Sequence, residues 1–536
     1  MEMMGMTVRQ IFVVCSIAVL LAIFGAALLW PVAHWAFAIA APVILLGVYD
    51  LVQRRHTLIR IYPVIGHFRY LLESVRPEIQ QYFVESDTNG QPVSREFRSL
   101  VYQRSKGQLD TRSFGTQFDV YRSGYEWVDH SLAPKPVLGK EPRIVFGAPG
   151  CKKPYAASPL NISAMSFGAL SQTAILALNR GAQQGGFAHN TGEGGLSPYH
   201  LKPGGDLIWQ VGTGYFGCRN ADGKFDAGLF AEKAALDAVK MIEIKLSQGA
   251  KPSHGGILPA AKLTPEIARI RNVPMGRDVV SPPAHTAFSS PRGLLEFVAE
   301  LGKLSGGKPV GFKLCIGRRV EFLSICKAML ATGITPDFIT VDGAEGGTGA
   351  APIELTNSMG TPLREGLVFV HSALLGIGVR DRIKIIAAGK VLSAFHILRL
   401  MALGADTVNS ARAMMFALGC IQALRCNTNT CPTGIATQEA ARYRALDVND
   451  KAARVKNYHR AMIANLLELL AAMGLDRLDD LRPRHINRRI SGPVVKNYGE
   501  LYPCLCQGSL LSEADVPEGW RDDWRQASPD AWQARN

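Results

Sequence analysis

Three cysteines, Cys420, Cys426 and Cys431, fall in one short window, Ala405 to Gly434, at the spacing C-x5-C-x4-C with Pro432 directly after the last. The window opens on ADTVNSA, which reads as a buried strand, and continues with MMFALGCIQALRC, which reads as a short helix. The thiols are therefore expected just past a strand end. Three thiolates in a Gly/Asn/Thr/Pro loop suit an iron–sulfur cluster. Small buried hydrophobes or a disulfide are the alternatives that spacing leaves open. A C-x-C pair, Cys504 and Cys506, is a much weaker metal signal.

Other residues able to do chemistry sit where short apolar runs stop. SAMSFGALS carries Ser163, Met165 and Ser166, small or slim residues that let a planar ligand approach the backbone. HNTGEGG places Glu193 in a glycine turn, and IEIKLSQGAKPSHGG supplies Lys245, Gln248 and Lys251. VGFKLCIG supplies Lys313; VDGAEGGTGAAP supplies Asp342 and Gly343, then Gly346, Gly347, Thr348 and Gly349. AAGKV supplies Gly389, and NSARA supplies Ala411 and Arg412 ahead of a helix. Backbone N–H groups at the last two positions suit a phosphate. A phosphate site, several cations and an adjacent three-cysteine loop suggest FMN exchanging electrons with a cluster, with a Lys stabilising the reduced flavin anion.

The elements that must position these residues follow a βα rhythm. The candidate strands are ISAMS, FAHNT, MIEIKL, DVVSP, VGFKLC, FITVDG, IKIIAAG and ADTVNSA, with helical patterns such as QTAILALNRGAQQ and PRGLLEFVAELGKL between them. Eight strands with intervening helices predict an α/β fold, a (β/α)8 TIM barrel, whose function sits at the C-terminal strand ends. A doubly wound sheet is the competing arrangement, but no G-x-G-x-x-G opens the first βα turn. Leu196–Glu232 reads as an inserted excursion, and the tail from Ile490 as loosely ordered.

From Ile11 to Tyr49 there is no Asp, Glu, Lys or Arg, and Trp30-Pro31 and His34-Trp35 break the run. Each half approaches the ~20 residues that cross a bilayer, so Gln10–Trp30 and Trp35–Leu51 read as a transmembrane hairpin. Arg9 before it and Arg54, Arg55 and Arg60 after it put both ends, and the catalytic domain, on the cytoplasmic side of the inner membrane. The expected organisation is a hairpin over 1–52, a helical collar over 53–140, the barrel with its Fe–S loop over 141–438, and a helical extension and tail over 439–536. The formal charge of +14 comes without aromatics interleaved among Lys and Arg. That excludes a nucleic-acid groove and points to anionic lipid and acidic substrates.

Taken together, SAMSFGALS, NTGEGG, Lys245–Pro252, SPP at 281–283, GGTGAAP and GC-x5-C-x4-CP-x-G-x-A-T-Q resemble the FMN-binding synthase domain of glutamate synthase, in order, over roughly 140–438. The resemblance implies FMN on the barrel and a 3Fe–4S cluster on Cys420, Cys426 and Cys431. It implies an oxidoreductase acting on CH–NH2 donors, which reductively aminates 2-oxoglutarate with ammonia to glutamate. Glu193, Lys245, Gln248, Lys251 and Arg271 match family positions around substrate and flavin. The sequence departs from the family at Ser253-His254-Gly255-Gly256-Ile257, where the family has G-E-G-G-Q, so a carboxylate and an amide give way to His254 and Ile257. The family's glutaminase domain, its β-helical domain and a pyridine-nucleotide fingerprint are not found, so the electron donor is expected to be another protein or a membrane carrier. Another small acid or imine as substrate, or a non-catalytic electron-transfer subunit, are the competing functions.

Overall fold

The computed structural model describes residues 6–147 and 149–532, which divide into one unit up to Arg95 and a second from Glu96. In the first unit two helices, Val8–Leu29 and Phe37–Val52, are joined by a 3-10 turn over Pro31–Ala36. Thr7 caps the first by a capping box with Gln10. Val8–Leu29 and the helical run Pro31–Val52, which includes the turn, are each long and apolar enough to cross a bilayer, and their side chains are almost entirely unburied. A Cβ at Gly47 would overlap the Phe12 ring, so the two helices approach closely there. Shorter helices follow over Thr57–Ile61 and Gly66–Ile79.

The second unit is built around a closed barrel of eight parallel strands. They are β1 (Leu160–Ile162), β2 (His189–Asn190), β3 (Leu207–Val211), β4 (Val239–Lys245), β5 (Val310–Leu314), β6 (Phe338–Asp342), β7 (Lys384–Ala388) and β8 (Thr407–Ser410). Each pairs with the next, and Ser410 on β8 meets Ile162 on β1 to close the ring. The α/β (β/α)8 expectation therefore holds, but one strand was misassigned. DVVSP contributes only Val279–Val280, which pairs with Ile257–Leu258 in a hairpin outside the barrel. The missing strand is β3, LIWQV, inside the stretch read as an excursion. All five of its residues are buried, so it lacks the alternation that marks a half-exposed strand.

Hydrophobic closure of the barrel comes from its N-terminal end. An antiparallel hairpin, Ile144–Phe146 with Tyr155–Ala157, lays Phe146 against Ala188, Ile208, Met241, Phe338 and Ile386. Phe146 meets Phe338 edge-on at 5.7 Å. On the flank, the long helix Val448–Ala472, capped by Asp447, packs on Gln172–Gly185, capped by Ser171. A Cβ at Gly181 would come within 2.8 Å of Val455, so the crossing requires glycine. His459 on that helix is a core histidine: it stacks on Phe187 and bonds Ser158 at 2.9 Å, and burial pulls it to about 3, so it stays neutral. The C-terminal region is more ordered than its composition suggested. Strands Ile486–Ser491 and Val494–Asn497 form a sheet with Glu126–Val128, and a helix runs over Glu518–Gln526.

Candidate active site at the C-terminal rim of the barrel

Glu193 follows β2 in a turn shaped by Gly192 and Gly195, both left-handed (φ 65° and 84°). Its Oε1 accepts from Lys245 Nζ, the last residue of β4, at 2.8 Å. Burial alone would push this carboxyl up, but Lys245, then Arg271 and Lys251, outweigh it and hold it below the usual carboxylate range. Burial pulls Lys251 down to about 8, with Glu193 opposing and Lys245 adding like-charge repulsion. Lys251 Nζ donates to the Ala350 carbonyl at 2.7 Å. Arg271 ends a helix, Pro265–Arg271, in the long β4–β5 connection. It donates to the Phe167 carbonyl at 3.1 Å and lies over the Phe216 ring, while its buried Nε finds no acceptor among the described residues. Burial lowers it to about 10. One carboxylate ringed by three cations, one with a spare buried donor, leaves a net positive group whose donors suit an anion. Gln248 sits half-buried on the same loop and has no side-chain partner among the described residues.

The departing loop lies directly on this group. A Cβ at Gly256 would meet the Glu193 carboxyl. His254 turns its Nδ1 to the Gly255 carbonyl at 2.9 Å, and Ile257 pairs with Val280. Ser253, left-handed at φ 60°, bends the chain there.

The proposed cofactor residues collect around the next strand ends. Lys313 on β5 pairs with Asp342 on β6 at 3.0 Å. Burial would lower Lys313, yet Asp342 and Glu243 outweigh it and raise it. Asp342 also accepts from the Gly249 N–H at 3.2 Å. A Cβ at Gly249 would fall on the Gly343 carbonyl, and one at Gly347 on the Arg412 guanidinium, so both loops need bare backbone. Arg412 donates to the carbonyls of Glu345 (3.1 Å) and Gly346 (2.8 Å), which ties the end of β8 to the loop after β6. A Cβ at Gly389 would touch the Gly343 N–H. Ser163 bonds β8 through the Ser410 carbonyl at 3.0 Å. Gly192 packs onto the backbone of Met165 and Ser166. Ala411 directly precedes the helix Arg412–Leu418.

The cysteine loop adjoins this rim. Gln422, Leu424 and Asn429 are all left-handed (φ 57°, 55° and 62°), a concentration of strain on one short loop. Asn429 is tied down by Thr437 (2.6 Å) and the Gln438 N–H (2.7 Å). For Cys431 burial works against the thiolate. The Thr433 hydroxyl and the N–H groups of Ala436, Thr433 and Ile435 outweigh it and hold the thiol below its ordinary range. Cys420, pushed to about 12 by burial, and Cys426 stay protonated as they stand. Among the described residues no three His, Cys, Asp or Glu side chains are gathered to hold a metal ion.

Several residues escaped sequence reading. Lys262 is 2% exposed and donates to the carbonyls of Ala169 (2.5 Å), Cys426 (3.2 Å) and Ala436 (3.1 Å), fastening the β4–β5 connection to the cysteine loop. A lone Lys ahead of a helix cap gives no signal of such burial. Lys390 is left-handed (φ 44°) beside Gly389, half-buried near Arg412. Inside the barrel Glu243 accepts from Asn190 (2.8 Å), Gln210 (2.5 Å) and Thr340 (2.7 Å).

The family model described as the conserved region in glutamate synthase matches residues 143–476. A glutamate synthase large subunit-like protein, YerD, of Bacillus subtilis is 38% identical over 502 residues, covering 85% of this chain and 95% of YerD. Archaeal-type glutamate synthase [NADPH] of Thermotoga neapolitana is 35% identical over 326 residues. Archaeal glutamate synthase [NADPH] of Methanocaldococcus jannaschii is 36% identical over 327 residues. The chain spans 61% of each of these two enzymes. With the matched region containing the whole barrel and its rim, the chain belongs to the glutamate synthase family and is an oxidoreductase.

Proposed function

We propose that the chain binds FMN at the C-terminal rim and reductively aminates a 2-oxo acid, 2-oxoglutarate foremost, with ammonia to give the amino acid. The observation that carries this reading is the Glu193 carboxylate set among Lys245, Lys251 and Arg271 at the barrel mouth. The residues present fit the cofactor: bare backbone at Gly343 and Gly389, with Lys390 and Arg412 beside them, suits a phosphate, and Lys313 suits an electron-rich ring. When bound, FMN supplies the hydride that the amination requires. Lys245, Lys251 and the spare Nε of Arg271 neutralise the carboxylates of the acid and orient its 2-carbon. Glu193, held ionised by the surrounding cations, is positioned to accept a hydrogen bond from the incoming ammonia and so to orient it.

Cys420, Cys426 and Cys431 are read as the ligands of a 3Fe–4S centre, which passes electrons singly. The donor set supports it, with three thiols on one loop, Cys431 already drawn toward thiolate, and the Lys262 cation beside Cys426. The two apolar helices are read as an inner-membrane hairpin with the barrel on the cytoplasmic side. Their length, their unburied surfaces and the arginines flanking them support this. The donor in this reading is a protein or a membrane carrier.

A second reading rests on the loop against Glu193. His254 and Ile257 replace the family's carboxylate and amide there, which favours a different 2-oxo acid. One experiment separates the two: anaerobic reduction of the purified protein, then flavin reoxidation with a panel of 2-oxo acids plus ammonium. Fastest reoxidation by 2-oxoglutarate supports the first reading, and by another 2-oxo acid the second. If no acid accelerates reoxidation, amination is not the reaction.

A further inference from the structure

Asp50 lies in the last turn of the second apolar helix, Phe37–Val52, and is fully buried at 0% exposure. A buried carboxylate is costly unless its oxygens are satisfied. Here both are: His67 Nε2 lies 2.9 and 3.0 Å from the two oxygens, and the Val64 N–H donates at 2.9 Å. Val64 adopts a left-handed backbone, φ 63°, which a β-branched residue takes only under constraint. The chain accepts that strain to complete the carboxylate's shell. His67 itself is not buried away: its side chain is 41% exposed, and its Nδ1 has no partner among the described residues. It opens into a half-open surface pocket of about 310 Å³ lined also by Tyr49, Asp50, Arg55, His56 and Tyr70, of which only Asp50 is buried.

We propose that this cavity binds the ring of a membrane quinone, an uncharged planar dicarbonyl, or its quinol, on an apolar tail. The proposal rests on reading the two apolar helices as a membrane hairpin, and it names the class of carrier that reading leaves open. With Asp50 fixing Nε2, the free Nδ1 of His67 either accepts from a quinol hydroxyl or, once protonated, donates to a quinone carbonyl. His56 meets Tyr70 edge-on at 5.5 Å, and Tyr49 adds a third ring, so the walls suit a flat ring. An anionic lipid headgroup fits poorly, because Arg55 is the sole Lys or Arg among the lining residues and the buried Asp50 carboxylate opposes it. Beside the cavity Val48, Tyr49 and Val52 are exposed along the helix, an apolar track for a tail.

The test uses the full-length protein in detergent, a short-tailed azidoquinone as photolabel and decylubiquinone as competitor. The label is expected on the peptide holding Tyr49–Tyr70 and to be displaced by decylubiquinone. His67→Gln places an amide donor where Nε2 bonds Asp50, and so keeps the fold, but has no polar atom at the Nδ1 position. It should weaken the quinone about tenfold with flavin content and circular dichroism unchanged. Labelling elsewhere, affinity unaltered in His67→Gln, or displacement by phosphatidylglycerol vesicles but not by decylubiquinone overturns the proposal. Fractionation of cells separates it from the reading beneath it. Membrane-bound protein without label at the cavity sinks the quinone site alone. Protein found in the soluble fraction that still labels there sinks the membrane hairpin and leaves the binding site standing.

Discussion

Lys251 is the residue through which acidity should govern substrate binding. Burial has brought its ammonium down to about 8, so the free protein carries that charge below this pH and loses it above. A dianion needs the charged form. Its dissociation constant should therefore rise by up to about tenfold per pH unit above pH 8 and stay level between pH 6.5 and 7.5. Calorimetric titration of 2-oxoglutarate measures this directly. In Lys251→Met binding should be weaker at neutral pH and the alkaline rise should disappear; a rise that persists in the variant assigns it to another group. Much of this site was legible from residue types, because Glu193, Lys245, Lys251 and Asp342 stand beside glycine-rich turns at strand ends. Lys262 and Lys390 were not, since burial and backbone conformation, not identity, set them apart.

At the scale of elements, the loop after β4 and the loop after β6 function as one piece. The Gly249 N–H bonds Asp342, and its α-carbon leaves no room for a methyl beside Gly343. Gly249→Ala should force the two loops apart, costing roughly 1–3 kcal/mol in thermal or denaturant unfolding. It should also weaken acid binding more than Lys251→Met does, because it displaces Lys251 and Asp342 together. If the variant binds with wild-type affinity, the loops are not mechanically joined. Sequence periodicity found seven of the eight barrel strands and missed β3. LIWQV is as long as β5, β6 and β7, is buried on both faces and sits in the ring, whereas DVVSP, with the same number of β-branched residues, forms an outer hairpin. Length and branching do not tell a central strand from a peripheral one; only the closure of the ring does.

Across the second unit, Glu126 fastens distant segments. It accepts from Arg364, Arg399 (2.6 Å), Arg488 (3.1 Å) and Tyr498 (2.5 Å), linking a short strand to two barrel helices and to the C-terminal sheet. Burial alone would raise its carboxyl, but Arg399 and Arg364 outweigh it and depress it. A depressed carboxyl stabilises the fold above its unfolded value of 4.5, and that contribution disappears as pH falls through the lower folded value. Glu126→Gln should cost roughly 3 kcal/mol at pH 7 in denaturant unfolding, because three arginines lose their counter-charge. The gap from wild type should narrow only as pH falls below 4.5 and through the lower folded value; a gap constant with pH would assign the loss to packing.

The hairpin that lays Phe146 across the N-terminal strand ends gives the barrel a floor. A rim site seated on a filled barrel imposes an order on traffic. Whatever occupies the doorway blocks what stands behind it, and each departure must precede the next arrival. Anything that settles over Glu193, Lys251 and Arg271 is thus also a stopper, and a slow-leaving product would throttle turnover however fast the bond-making step runs.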